Sequence, residues 1–202
     1  YEVSVLLDYL KVLDNARQDL PLTAVLTSPF AGLTAAELSV IRLAYPNQLF
    51  YEAVEGFCSL SPEEISETVD KKQAIQVQEK LRKFFEVLDH FREILPYTAI
   101  HDLLAEIIDK TGYGLFISAM PGGAQRQANV EMLVEKARAF EGTSYKGLFN
   151  FVRYIEQLKK YNVDYGEAGI MDEQADTVRL MSIHKSKGLE FPIVFVAVSY
   201  TH

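Results

Sequence analysis

Up to about residue 160 the chain repeats apolar side chains at helical spacing in one segment after another, a pattern that packs as helices and cannot lie flat as a sheet. Val3, Leu6, Leu7, Leu10 and Leu13 mark one face of a first helix, which the polar run 14–19 ends. Pro21 suits the first turn of a short second helix, where its missing N–H has no intrahelical partner to lose. Residues 28–33, Ser-Pro-Phe-Ala-Gly-Leu, interrupt the pattern. Thr34 and Glu37 then form a capping box opening a helix through Leu38, Ile41 and Leu43, and Ser61, Pro62, Glu63 and Glu64 open a longer one that can reach Leu95. Ile100, Leu103, Leu104, Ile107 and Ile108 stripe a helix over 99–110, with Gly112 placed as its left-handed C-terminal residue. Two more helices follow Pro121-Gly122-Gly123, one through Val130, Leu133, Val134 and Ala137, the other through Leu148, Val152, Ile155 and Leu158. Arg126 reads as a surface arginine after the tight turn, and the Asp8-Tyr9 pair as neighbouring surface and core positions. Most tyrosines and phenylalanines fall on these stripes and read as core rather than as base-stacking platforms. The fold class is mainly α, with a helical subdomain over residues 1–161.

The pattern then changes. Residues 162–177 carry Asp164, Glu167, Asp172, Glu173 and Asp176 with no basic residue, the composition of a solvated linker. Beyond it, Val178-Arg-Leu-Met-Ser-Ile and Phe191-Pro-Ile-Val-Phe-Val-Ala flank His184-Lys-Ser-Lys-Gly-Leu-Glu190. Two β-rich runs of this kind read as strands of a parallel sheet covered on both faces. Ligands in such sheets bind outside the carboxyl ends of the strands. A turn there with Lys185, Lys187 and Gly188 suits an anion or a nucleotide.

Composition narrows the partners. A net charge of −8 and a pI near 5.1 argue against holding nucleic acid by bulk electrostatics, so any such contact must be local. The single cysteine, Cys58, excludes an intrachain disulfide framework and a cysteine-based zinc cluster, and reads as a buried thiol in a reducing compartment. His90 and His101 each stand alone on a helix, so no metal site is expected. No apolar run approaches the ~20 residues of a membrane span and no signal peptide opens the chain, which reads as cytoplasmic with no membrane contact. It begins at Tyr1 and stops just after an apolar strand, as a piece of something larger would. There is no Gly-x-x-x-x-Gly-Lys-Ser/Thr loop, so the segment cannot hydrolyse ATP alone, and it holds no catalytic residues of its own.

His184, two variable residues, then Lys187-Gly188-Leu189-Glu190-Phe191 resemble motif V of the UvrD-like superfamily-1 helicases. In that family a helical subdomain, 2B, is inserted into the second RecA-like domain, and the chain returns to that domain through a strand leading into motif V. More specifically, residues 13–22, 25–29, Gly32-Leu33 with Glu37-Leu38, Met120-Pro121-Gly122-Gly123, 125–129 and 143–149 are similar to the AddA subunits of bacterial helicase–nucleases. The resemblance implies a 2B-type subdomain over 1–161, the linker over 162–177, and a partial RecA-like 2A domain over 178–202, a short β-α-β remnant carrying motif V. It further implies that Gly188 and Glu190 contact bound nucleotide, and that His184 and Lys187 face the translocating strand or couple it to the nucleotide. Gly32 stands where related helicases use a Gly-x-Gly turn to meet duplex DNA, although Phe30 and Ala31 depart from that pattern. The implied parent enzyme uses ATP and Mg2+, neither expected on the segment itself. It would act on double-stranded DNA ends and single-stranded DNA as a heterodimer with an AddB subunit, in recombinational repair. Two alternatives stay open: the same region of a UvrD or PcrA-type repair helicase without a nuclease, and a protein-interaction module.

Overall fold

The computed structural model describes residues 1–61, 71–160, 182 and 193–196. Its helices run α1 (Glu2–Asp14), α2 (Asp19–Leu26), α3 (Ala35–Ala44), α4 (Phe50–Ser59), α5 (Lys71–Ile94), α6 (Ile100–Lys110), α7 (Tyr113–Ser118), α8 (Gly123–Glu141) and α9 (Leu148–Lys160), with a 3-10 turn over Leu95–Tyr97. The described residues are mainly α and include no strand. The chain divides into two compact units, Tyr1–Ile170 and Met171–His202.

In the first unit α1 is the centre. Its apolar positions predict one stripe, yet Val5, Leu6, Leu7, Tyr9, Leu10, Val12 and Leu13 are all buried, while Val3 is only partly so. The narrow face of Ser4, Asp8 and Lys11 stays in contact with solvent; a buried arc this wide needs neighbours on several sides, and α2, α5, α8 and α9 all pack on it. The helices α3 and α4 pack together and against α5, and α6, α7 and α8 form a second mutually packed group. Leu43, read from the sequence as part of the α3 stripe, is exposed, because it lies two residues from the fully buried Ile41 and so on the opposite face.

The capping box forms as the sequence requires: Glu37 N–H donates to Thr34 Oγ1 at 3.2 Å and Thr34 N–H to Glu37 Oε2 at 2.7 Å. Gly112 takes the left-handed conformation between α6 and α7. The helix α4 was not marked by a cap, although Phe50, Ala53, Val54 and Phe57 follow helical spacing and are all buried. Cys58 beside them is half-buried, and burial pushes its thiol up to about 11. Gln78 of α5 donates to the Phe57 and Leu60 carbonyls at 2.8 and 2.9 Å, closing the end of α4.

Arg126 is not the free surface arginine that its turn suggests. It donates to Glu2 Oε2 at 2.6 Å and to the Pro121 carbonyl at 3.0 Å, while Asn129 reaches Glu2 Oε1 at 2.7 Å. Tyr113 adds a hydroxyl bond to the Glu2 carbonyl at 2.9 Å. The buried Glu2 therefore fastens α7 and α8 to the first turn of α1. Likewise Glu141 at the end of α8 accepts from the Ile100 amide and lies 2.5 Å from His101 Nδ1, tying α8 to the start of α6.

The longer helix expected from 61 to Leu95 is described from Lys71 onward and ends at Ile94; residues 62–70 lie outside the described residues. So do the linker and the β-α-β remnant, apart from Ser182 and 193–196.

A Cβ added to Gly123 would stand 2.1 Å from the Ser118 carbonyl oxygen, a backbone atom that cannot swing aside. Gly123→Ala is therefore expected to destabilise the 1–170 unit by about 1–3 kcal/mol, the usual cost of overpacking. Urea unfolding of that unit with and without the substitution measures it, and equal midpoints would contradict the close approach of α7 and α8.

Candidate nucleic-acid interface

The residues that interrupt helical periodicity, 28–33, form a tight corner whose polar groups turn inward. Ser28 Oγ donates to the Val25 carbonyl at 2.6 Å and accepts from the Phe30 amide at 3.3 Å. The Ser28 carbonyl takes the amides of Ala31 and Gly32 at 3.3 and 2.8 Å, and the Leu33 amide returns to the Leu26 carbonyl at 2.9 Å. The Thr34 amide is held by Glu37. Every amide from Phe30 to Thr34 thus has a partner inside the fold.

Apolar contacts fix the corner from behind. The Phe30 ring lies between Tyr9, 4.4 Å away, and Tyr113, 4.8 Å away and nearly parallel at 13°. Tyr113 in turn stacks on the half-exposed Phe116. Such pairs add to the burial of the rings themselves and hold their orientation. Gly32 projects outward at φ +63°, with nothing within 4 Å of where a Cβ would stand. Its left-handed backbone is strained for other residues, while its outer face is open to an incoming partner.

One cation from a distant element reaches this corner. Lys80 on α5 donates to the Gly32 carbonyl at 3.0 Å and to Glu37 Oε1 at 2.7 Å. Burial alone would raise the Glu37 carboxyl, but hydrogen bonds from Lys80 and Thr34 outweigh it and hold Glu37 below the usual carboxylate range. The corner is thus a rigid turn with an open glycine face, a paired lysine and a carboxylate kept ionised.

Of the residues singled out in the sequence, Gly32 is placed here; His184, Lys187, Gly188 and Glu190 lie outside the described residues. His90 sits 2.8 Å from Lys110, and both contact Glu106. Among the described residues no group of three or more metal-ligating side chains gathers, and no helix is long and apolar enough to cross a membrane. Lys80 escaped the sequence reading because its partners are 43 and 48 positions away and no local pattern joins them.

Residues 1–200 match the family model described as UvrD-like helicase C-terminal domain. The A-subunit of the ATP-dependent helicase/nuclease of Lachnoclostridium phytofermentans is 43% identical over 97% of this chain and 17% of its own length. Proteins of the same description from Heliobacterium modesticaldum and Oceanobacillus iheyensis are each 44% identical, over 97% and 96% of this chain and 14% and 15% of their own. The chain therefore spans about a sixth of the length of the curated relatives it matches.

Because the folded Glu37 pKa is depressed, its stabilising contribution is present above the unfolded value of about 4.3 and lost as pH falls through the folded value. Glu37→Gln keeps a capping side chain but has no charge to lose. The stability gap between wild type and variant should be constant near neutrality and close on acidification below about pH 4. Thermal unfolding across that range measures it; a gap independent of pH would mean that the Lys80 pairing contributes nothing.

Proposed function

Because the chain belongs to the UvrD-like helicase C-terminal domain family, we propose that it is the 2B-type helical subdomain and the following motif V of an AddA-type ATP-dependent helicase/nuclease. The parent enzyme unwinds and resects double-stranded DNA ends for recombinational repair, translocating on single-stranded DNA with ATP and Mg2+ and assembled with an AddB-type partner. Relatives named helicase/nuclease over nearly the whole chain favour this over a UvrD or PcrA-type helicase without a nuclease.

The observation that best supports an inserted subdomain is the antiparallel pairing of α1 with α9. Lys11 reaches Glu156 at 2.8 Å, and Lys159 reaches Ser4 at 3.4 Å, so the first and last helices of the body run side by side in opposite directions. Their outer ends meet at one place. A segment can be inserted into another domain without splitting it only if its two ends are close together.

Within this reading Gly188 and Glu190 contact the nucleotide, Glu190 as a carboxylate acceptor for ribose hydroxyls. His184 and Lys187 face the translocating strand or couple it to the nucleotide, and Gly32 presents the corner to duplex DNA. ATP supplies the free energy of translocation; residues of this chain only bind and report it.

In the full-length enzyme Glu190→Gln should lower kcat/KM for ATP by about 10- to 150-fold, the loss of one charge-assisted hydrogen bond of roughly 1.5–3 kcal/mol, with little change in folding. Unaltered ATPase kinetics would remove Glu190 from the site. The 202-residue chain alone should release no phosphate from ATP, because it lacks the phosphate loop, and should bind a forked duplex only weakly. Turnover that tracks the purified segment, or tight binding that survives moderate salt, would overturn the assignment of catalysis to the rest of the parent.

A further inference from the structure

We propose that Lys80 is the phosphate-binding residue of the 28–33 corner, a role resting on the reading of that corner as facing duplex DNA. A glycine turn can meet a phosphate through free amides, but here the amides of Phe30, Ala31, Gly32, Leu33 and Thr34 are all bonded internally. An approaching phosphate therefore finds an open Gly32 face with no unused backbone donor. The donor at that place is the Lys80 ammonium, 3.0 Å from the Gly32 carbonyl, with its side chain 38% exposed.

Its bonding leaves room for the task. A lysine ammonium has three donors, and Lys80 places two of them, on Gly32 and Glu37. The third is left for a phosphate oxygen. Glu37 does not depend on Lys80 alone, since its Oε2 also accepts from the Thr34 amide and hydroxyl at 2.7 and 3.0 Å. The ammonium can lean toward a phosphate without stranding a bare carboxylate. Glu37 then acts as a competitor that holds Lys80 in place and weakens non-specific anion binding. In a chain of net charge −8, a cation held at a projecting glycine gives a local contact where bulk charge would repel DNA.

The carboxylate separates this role from a purely structural one. If Lys80 merely braced the turn, Lys80→Met and Glu37→Gln would both loosen the corner and both weaken duplex binding. If Lys80 binds phosphate, the two changes act in opposite directions. The test uses the full-length enzyme and a fluorescent blunt duplex, with the matching single strand as reference, titrated from about 50 to about 200 mM salt. Lys80→Met is expected to weaken duplex binding about 5- to 10-fold at the lower salt, more than it weakens single-strand binding, and to reduce the slope of log affinity against log salt by about one. Lys80→Arg should retain both, and Glu37→Gln should tighten duplex binding about two- to threefold as the competing charge is lost.

Gly32→Asp, which tolerates the left-handed backbone and adds a negative charge to the open face, tests the underlying reading separately. If it weakens duplex binding while Lys80→Met leaves affinity and slope unchanged, the corner meets DNA but Lys80 is not its phosphate contact. If neither substitution affects duplex binding, the corner does not face DNA and the proposal falls with that reading. Weakening by both Lys80→Met and Glu37→Gln assigns Lys80 a structural role and likewise overturns it.

Discussion

Everything in the helical unit hangs on the burial of α1. Leu6, Leu10 and Val12 are wholly removed from solvent, and Leu7, Tyr9 and Leu13 nearly so. Each such side chain contributes about 1.5–3 kcal/mol relative to exposure, which helps to offset the ordering of its neighbours only if they cover the helix from several directions. The covering comes from the whole length of the unit: Phe84 and Phe91 of α5 lie nearly perpendicular to the Tyr9 ring, α8 is pinned through Arg126 and Glu2, and α9 through Glu156 and Lys11. A single helix read first in the sequence is thus finished last in space, by α9. Most pairings near it are distant in sequence, so the unit is cooperative about its centre rather than a row of independent hairpins.

The same central helix positions the corner. Tyr9 projects from α1 to meet Phe30, and Tyr113 closes on the other face of that ring while its hydroxyl ties back to Glu2. The turn is therefore referred to α1 at two points, through the Tyr9 ring and, by way of Tyr113, through the Glu2 backbone carbonyl. Tyr9 gains this stacking at a cost, because its hydroxyl is buried with no hydrogen-bond partner among the described residues, and burial raises its pKa well above the usual phenol range. The aromatic character of position 9 matters more to the fold than its oxygen does.

Where the sequence was legible, a local rule fixed the answer. The Thr34 and Glu37 capping box joins residues only three positions apart, and the left-handed Gly112 follows directly from the end of a stripe. Where it was not, the determining contact was remote. No spacing rule couples Arg126 and Asn129 to Glu2, more than a hundred positions away, and a lone glutamate opening an apolar helix was the only trace they left. The exposure of Leu43 and the wide buried arc of α1 escape periodicity for a related reason, since it gives a direction for a helix face but not the number of neighbours that will cover it. In the candidate site the turn was visible through Pro29 and Gly32, whereas Lys80 became visible only when α5 was folded against it.

The departure of this corner from a Gly-x-Gly turn can be understood in the same terms. Phe30 cannot be a glycine here because its ring fills the space between Tyr9 and Tyr113, and Ala31 sits partly buried against the same core. Anchoring the turn so firmly commits its amides to Ser28, Leu26 and Glu37, which removes the donors that a looser glycine turn would offer a phosphate. Rigidity and backbone donation compete for the same N–H groups. A side-chain cation brought from another helix escapes that competition, because its donors are additional to those the turn must satisfy to fold. Gly32 is left with the one role that still requires it, an open surface beside the ammonium with no side chain to keep a partner away.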